Sequence, residues 1–187
     1  MFTRKRQLVF AATLSAGAGL LSAAATIADA APVTAAGTDT PRLGRAATVQ
    51  HIRAADITVM PDGEGLPVGS GTAVTGAELY RVHCLACHGE RGVGGPNDVL
   101  AGGRGSLTSA APLKTVGSYW PYAATLFDYI RRAMPYPSPG VLSNAEVYSL
   151  TAYLLYVNGI IGERVEMNAA TLPAVQMPNR DNFRVSW

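Results

Sequence analysis

Cys84-Leu85-Ala86-Cys87-His88 is the stretch that decides the fold, and it contains both cysteines of the chain. A Cys-x-x-Cys-His string is typical of the covalent attachment site of a c-type haem. If the stretch is helical, Cys84, Cys87 and His88 stand at positions i, i+3 and i+4 and project from one face. Two thiols can then add to the vinyl groups of one porphyrin while the imidazole binds the iron. The stretch therefore predicts one covalently bound haem c, with His88 as an axial ligand.

Three other interpretations of this stretch are weaker. A thioredoxin-like dithiol belongs to a βαβ context, and nothing near Cys84 resembles one. A structural zinc site requires four N or S ligands, whereas the chain offers two cysteines with His88 and, at most, His83. A disulfide across so short a gap closes a tiny loop and stabilises little. None of these explains a histidine directly after Cys87. We expect His83 to point away from the face that carries Cys84, Cys87 and His88, and we expect His51 to be solvated.

The first 30 residues are predicted to be a secretory signal peptide. Residues 4–6 are basic, residues 8–26 are apolar and rich in Ala and Gly, and residues 28–30 form an Ala-x-Ala cleavage site. A retained membrane anchor is the alternative, because the apolar stretch is nearly long enough to span a bilayer. Its small residues favour cleavage, so we expect an exported, periplasmic protein.

Cleavage at that site leaves 157 residues, enough for one domain with extensions. This mature chain has 12 basic and 12 acidic residues and is formally neutral. It therefore lacks the basic footprint of a nucleic-acid-binding protein. No later segment is apolar for long enough to predict a membrane span after signal cleavage.

Composition divides the mature chain into three parts. Residues 31–71 are rich in Pro, Gly, Thr and Ala and predict an extended N-terminal arm without its own core. Residues 72–162 carry the haem motif and the helical patterns, and they predict a cytochrome c domain. Residues 163–187 are mixed and polar, and they predict an irregular C-terminal tail over the surface.

Three helices are predicted within the domain. A capping box at residues 75–78 begins the first, which runs into the haem motif. The second begins at Pro121 and ends before Met134, because a proline follows that residue. The third begins at a capping box in residues 143–146 and closes at residues 158–159. With no strand signal, the prediction is an all-α, class I cytochrome c-like domain.

Met134 is the predicted sixth ligand of the iron. A haem used for electron transfer normally has both axial positions filled, and Met raises the potential relative to a second His. Met134 lies 46 residues beyond His88 and is followed by a proline-rich loop that would hold a weak thioether ligand in place. Met177 is the alternative, and Met60 precedes the attachment site, where a distal ligand would be unusual.

Other residues are candidates for contacts with the haem. Arg104, Tyr119 and Trp120 are expected to meet the propionates or pack on the porphyrin. The glycine-rich loop of residues 89–105 is expected to let backbone approach the porphyrin closely. A backbone carbonyl near Pro96 is expected to accept the His88 ring N–H and fix its tautomer.

Beyond the haem motif, two stretches resemble a known family. These are GSYWPYAATLFDYIRRAMPYPSPG at residues 117–140 and LTAYLLYVNGII at residues 150–161. They resemble the cytochrome c subunit of molybdenum-dependent sulfur and sulfite dehydrogenases, which include the haem subunit of the sulfane dehydrogenase of bacterial thiosulfate oxidation. Residues 43–71 and 177–183 are similar to this family too, so the resemblance covers most of the mature chain.

The resemblance implies haem attachment at Cys84 and Cys87, axial ligation by His88 and Met134, and a partner. That partner is a molybdopterin subunit that oxidises the sulfur compound and passes electrons to the haem. The chain would then be a non-catalytic electron-transfer subunit that reduces a downstream cytochrome c. Some family members have a second haem domain, but this chain has no second Cys pair.

Two alternatives remain at this stage. The first is a free-standing, diffusible periplasmic cytochrome c that carries electrons without a fixed partner. The second is an enzyme in its own right, with an open or Cys-ligated haem, but the chain has no third cysteine to bind the iron.

Overall fold

Helices dominate the computed structural model, which describes residues 44–183. Within this range the elements are α1 (Val49–Ala55), β1 (Ser70–Gly71), α2 (Ala73–His83), α3 (Leu85–His88), α4 (Ala123–Ala133), α5 (Asn144–Val157) and β2 (Met167–Asn168). Short 3₁₀ turns lie at Glu90–Gly92, Ser106–Thr108, Leu172–Ala174 and Arg180–Asn182. The all-α prediction is therefore confirmed, while the predicted signal peptide and the beginning of the arm lie outside the described residues.

Helix α5 is the centre of the core, and every residue from 147 to 155 is buried. α2 approaches α5 closely at Gly76, where a Cβ atom would collide with the backbone carbonyl of Ser149. α4 packs Phe127 against Tyr148 of α5, with ring centroids 4.4 Å apart. A helix buried on nearly all sides carries the core of a small domain.

Local sequence signals correctly predict both ends of α5. The Ser143 hydroxyl accepts a hydrogen bond from the Glu146 N–H, and the Glu146 carboxylate accepts one from the Ser143 N–H at 2.7 Å. The helix ends at Val157, and Gly159 follows with a φ of +65°. This reciprocal capping satisfies two backbone donors that the first turn leaves free.

The predicted capping box of α2 is wrong. The helix begins at Ala73 with Thr72 at its N-cap, so Thr75 lies inside the first turn. The buried residues of α2 are Ala73, Gly76 and Tyr80, which lie on one face at helical spacing. Packing of this face against α5 explains why the helix begins before the predicted capping box.

Helix α4 begins at Ala123, two residues later than predicted, because Tyr122 has an extended backbone with a φ of −138°. Its predicted end is confirmed, since the last helical residue is Ala133 and Met134 is the C-cap.

The described part of the N-terminal arm departs from the prediction of an extended segment. α1 forms within it and buries none of its residues. Further along, Val59 is buried in the core, and its N–H donates to Asp128 Oδ1 at 3.1 Å. The Tyr148 hydroxyl donates to the Pro67 carbonyl at 2.9 Å. Residues 57–71 therefore contact the core of the protein. The sequence does not predict these contacts, because this segment has no helical repeat of apolar residues.

The tail also contributes to the core. β2 pairs antiparallel with β1, a small sheet that the sequence does not predict. Met167, Leu172 and Met177 are buried, so the tail does not simply cover the surface. The proposed boundaries at residues 72 and 162 remain predictions. No helix within residues 44–183 is both long and apolar enough to cross a membrane.

Candidate haem site

A cavity of about 720 Å³ brings together five of the seven residues that the sequence predicts at the haem site. The five are Cys84, Cys87, His88, Trp120 and Met134. Much of the remaining wall comes from α4, α5 and the loops that follow α3. The apolar part of this wall includes Leu100, Val116, Leu126, Ile130, Leu142, Leu150 and Leu154.

A single helical turn positions the Cys-x-x-Cys-His stretch. α2 stops at His83 because Cys84 leaves helical geometry, with a φ of −125°. The Cys84 carbonyl then accepts hydrogen bonds from the N–H groups of Cys87 at 3.1 Å and His88 at 2.9 Å. This turn keeps the spacing that the sequence predicts, and both thiols are free.

The ring of His88 is oriented by a backbone carbonyl. Its Nδ1 atom lies 2.8 Å from the carbonyl oxygen of Asp98. A carbonyl oxygen only accepts hydrogen bonds, so Nδ1 carries the proton and Nε2 keeps the lone pair that binds a metal. The acceptor was expected near Pro96 and is found two residues later.

Two glycines of the following loop serve a different purpose from the expected one. A Cβ atom at Gly89 would collide with the Val93 carbonyl, and one at Gly95 would collide with the Cys87 carbonyl. The Asn97 N–H also donates to that Cys87 carbonyl at 2.9 Å. These glycines therefore let the loop pack against the haem-binding turn itself and hold the Asp98 carbonyl beside His88.

Burial controls two titrating groups in the wall. Burial, followed by the charge of Cys87, raises the pKa of the Cys84 thiol to about 11. Burial is also the main cause that raises the pKa of Tyr80 to about 12. The neutral Tyr80 hydroxyl donates to the Gly89 carbonyl at 2.9 Å, which ties α2 to the backbone beside His88.

Met134 is the methionine that the structure places at the cavity. Its side chain is half-buried, and its N–H closes α4 by donating to the Ile130 carbonyl at 3.0 Å. Met177 packs in the core instead, and Met60 is exposed. Neither Met177 nor Met60 is among the residues that line the cavity.

The remaining predicted residues divide between the cavity and the surface. Trp120 lines the cavity and packs edge-on against Tyr129, with ring centroids 5.7 Å apart. Arg104 is exposed and donates to the Asn158 carbonyl at 3.1 Å. The cavity wall excludes Arg104 and Tyr119, so the structure gives no support to their predicted contacts with haem.

His83 was expected to point away from the haem-binding face, but it lines the cavity. The break at Cys84 turns α3 relative to α2, and the helical spacing that the expectation assumed stops there. His51, which lies in α1, is exposed as expected.

Within residues 44–183, no group of three or more His, Cys, Asp or Glu side chains is arranged to hold a metal ion. Because a structural zinc site requires four such ligands, the described residues do not supply one.

Comparisons with known proteins assign the family. Residues 71–154 match the family described as cytochrome C oxidase, cbb3-type, subunit III. The structure is similar to the crystal structure of the sulfane dehydrogenase SoxCD from Paracoccus pantotrophus, with a TM-score of 0.72 and 43% sequence identity. This match covers 77% of the present chain and 71% of that chain. The chain belongs to the cytochrome c subunits of sulfur dehydrogenases. A search of curated proteins gave no match.

Membership of this family confirms both the resemblance and the class I cytochrome c-like fold. This cytochrome subunit is a haem c protein that transfers electrons, and its relation to SoxCD connects it with sulfur oxidation. The residues at the cavity fit that group, because Cys84 and Cys87 are free thiols and His88 has its Nε2 lone pair available. Met134 supplies a thioether to the same cavity.

Tyr129 and Lys114 are two of the lining residues that the sequence reasoning did not identify. Tyr129 lines the cavity from α4, and its spacing of three residues from Leu126 places both on one helix face, so the pattern contained the signal. Lys114 lines the cavity from a loop. A single lysine in a loop has no periodic neighbours, and only the tertiary structure reveals its position.

Proposed function

We propose that this cytochrome subunit carries one haem c and passes electrons from a molybdopterin-containing sulfite or sulfur-compound dehydrogenase subunit to a downstream cytochrome c. In this proposal Cys84 and Cys87 hold the haem covalently, and His88 and Met134 are the axial ligands. The observation that supports it best is the meeting of the Cys-x-x-Cys-His turn and Met134 at one cavity.

When bound, the haem supplies a one-electron Fe(III)/Fe(II) couple. The protein chain determines the position of the haem and its chemical environment. The Asp98 carbonyl holds the His88 ring in the tautomer that binds iron, and the Met134 thioether favours the reduced state more than a second histidine would. The apolar side chains of Ile130 and Leu150 reduce the access of water to the site.

Substrate oxidation is assigned to the partner subunit. With both His88 and Met134 holding the iron, no coordination position would remain for a sulfur compound, and the haem would supply electron transfer alone. The related crystal structure is that of a sulfane dehydrogenase, which supports a sulfur-oxidising partner here. The family resemblance supports molybdopterin as the cofactor of that partner.

The periplasm is the proposed location. The basic residues, apolar stretch and Ala-x-Ala site within residues 1–30 support export followed by cleavage. Mass spectrometry of the purified native chain should then find an N-terminus at Ala31. An intact residue 1 on a membrane-bound chain would support the anchor instead.

Co-purification tests the proposed complex. A tagged chain, expressed in its native host, should bring down a second subunit that contains molybdenum, and the haem in this complex should be reduced when the correct sulfur compound is added. Sulfite, thiosulfate and a protein-bound sulfane are the substrates to compare. The complex without substrate is the control for spontaneous reduction.

A chain that purifies alone, with haem that no sulfur compound reduces in the presence of the host extract, would contradict the complex. It would support the free-standing electron carrier instead.

A further inference from the structure

We propose that Lys114 is the ionic partner of a haem propionate and thereby raises the reduction potential of the haem. The inference rests on the proposed covalent haem. Lys114 lies in the wall of the cavity, and it is the sole lysine after Lys5. Among the described residues that line the cavity, it is the one lysine or arginine.

Buried hydroxyl groups fix the backbone on both sides of Lys114. The Ser118 hydroxyl donates to the Leu113 carbonyl at 2.6 Å and accepts the Thr115 N–H at 2.9 Å. The Thr115 hydroxyl donates to the Gly102 carbonyl at 2.6 Å. Thr115 and Ser118 are only 2% and 5% exposed. Such satisfied buried networks are rigid, so Lys114 is presented to the cavity from a fixed loop.

An aromatic ring restricts the side chain of Lys114. Its Nζ atom lies 5.1 Å from the centre of the Tyr119 ring, within the range of a cation–π contact. Tyr119 in turn packs edge-on against Phe183, with ring centroids 5.2 Å apart. Lys114 is exposed and Tyr119 lies outside the cavity wall, so this contact holds the ammonium at the edge of the cavity.

The charge of Lys114 is available for an anion. The two ion pairs found in the described part of the chain join Arg81 to Glu78 and Arg132 to Asp128. Asp98 also lines the cavity, but neither of these ion pairs includes it. The propionates of a haem are carboxylates. An anion that is removed from bulk water needs a cation or hydrogen-bond donors.

Arg104, the cation expected at this place from the sequence, is committed elsewhere. It donates to the Asn158 carbonyl and lies outside the cavity wall. We therefore assign the contact with a propionate to Lys114, which lines the cavity, in place of Arg104, which does not.

The pairing has a definite effect on the iron. A propionate carries negative charge, which stabilises the more positive ferric state. An ammonium beside that propionate cancels part of this charge, so the ferrous state gains and the potential rises. Lys114 is thus a positioning residue for the propionate, and it does not touch the iron.

A charge series in the holoprotein tests the proposal. Spectroelectrochemical titration should give Lys114→Arg a potential close to that of the wild type, Lys114→Gln a lower one and Lys114→Glu the lowest. Resonance Raman spectra should show the propionate bending mode shifted in Lys114→Gln and restored in Lys114→Arg. The matched control is Arg104→Gln, which removes a charge of the same sign outside the cavity wall and should leave the mode in place.

Chemical acetylation tests the same charge without any effect on folding. Acetic anhydride should modify Lys114 and the N-terminal amine of the mature holoprotein, since Lys5 lies in the predicted signal peptide. The potential should fall after acetylation of the wild type and stay unchanged in acetylated Lys114→Arg, where the N-terminus alone reacts.

Equal potentials across the charge series, or an Arg104→Gln shift as large as that of Lys114→Gln, would overturn the role of Lys114. A wild-type chain that binds no haem would instead refute the proposed function, so the two failures are distinguishable.

Discussion

The Nδ1 atom of His88 lies 2.8 Å from the backbone carbonyl oxygen of Asp98. This hydrogen bond connects the haem-binding turn to a residue ten positions further along the chain. It selects the ring tautomer in which Nε2 is free to bind iron. The glycine-rich loop, which includes the short 3₁₀ turn Glu90–Gly92, thus orients the proposed iron ligand.

Replacement of Met134 by Ala should leave the haem covalently attached while lowering its potential. The thioether favours the ferrous state, and its loss leaves the iron open or bound by a weaker ligand. Redox titration and the far-red charge-transfer band of Met-ligated ferric haem measure the two effects.

Met177→Leu is the matched control for that substitution, because Met177 is buried in the core and lies outside the cavity wall. Its band and potential should match the wild type. If the band survives in Met134→Ala and disappears in Met177→Leu, the ligand assignment is wrong.

Two N-terminal truncations should have different effects. Removal of residues 31–55 deletes α1, which buries no side chain, so the free energy of unfolding should change by about 0.5 kcal/mol or less. Binding to the partner subunit should weaken, since Val49 and Ile52 of α1 are 60% and 56% exposed.

Removal of residues 31–71 should in addition lower the free energy of unfolding by about 3 kcal/mol or more, because Val59 leaves the core and the Tyr148 hydroxyl loses its acceptor. Chemical denaturation and a pull-down assay separate these effects. Equal stability of the two truncated proteins would show that residues 56–71 are not part of the fold.

The capping box of α5 should make stability depend on pH. The Ser143 backbone N–H, and then its hydroxyl, hold the pKa of Glu146 below the ordinary value. The Glu146 carboxylate therefore stabilises the fold above its unfolded-state pKa, and this contribution is lost as the pH falls through the lower folded-state pKa.

Urea denaturation of wild type and Glu146→Gln over a range of pH should show a difference in the free energy of unfolding that is constant near neutrality and shrinks in acid. Glu163→Gln is the control, since that side chain is exposed. A difference that grows in acid would contradict the assigned hydrogen bonds.

Leu155→Ala should destabilise the domain by about 2–5 kcal/mol, as truncation of a buried leucine leaves a cavity. Leu155 is fully buried and lies outside the haem cavity wall, so haem spectra should stay unchanged. The exposed Val141, shortened to Ala, should cost about 0.5 kcal/mol or less. A loss below about 1 kcal/mol for Leu155→Ala would argue against α5 as the centre of the core.

Local signals in the sequence predict α5 and the end of α4 correctly. These signals are a capping box, a helix-ending glycine and a proline after Met134. Each acts within a few residues, so it can be recognised without knowledge of the tertiary structure. The Cys-x-x-Cys-His spacing predicts the attachment site in the same way. Met134 was predicted from its proline-rich context, and the structure places it at the cavity.

Contacts between segments that lie far apart in the sequence cannot be predicted from local signals. Val59 and Leu172 enter the core from segments outside the α-helices, where no helical repeat of apolar residues marks the buried face. The start of α2 was misplaced because packing of Gly76 against α5 determines it. The sequence analysis selected Arg104 and not Lys114, because only the fold distinguishes the residue that lines the cavity from the one that does not.

Peptide mapping of the purified native chain by mass spectrometry tests the central claim most directly. We predict one haem per chain, retained after denaturation in acid, on the peptide that contains Cys84 and Cys87. A chain without haem, or a haem that acid extracts from it, would contradict the account.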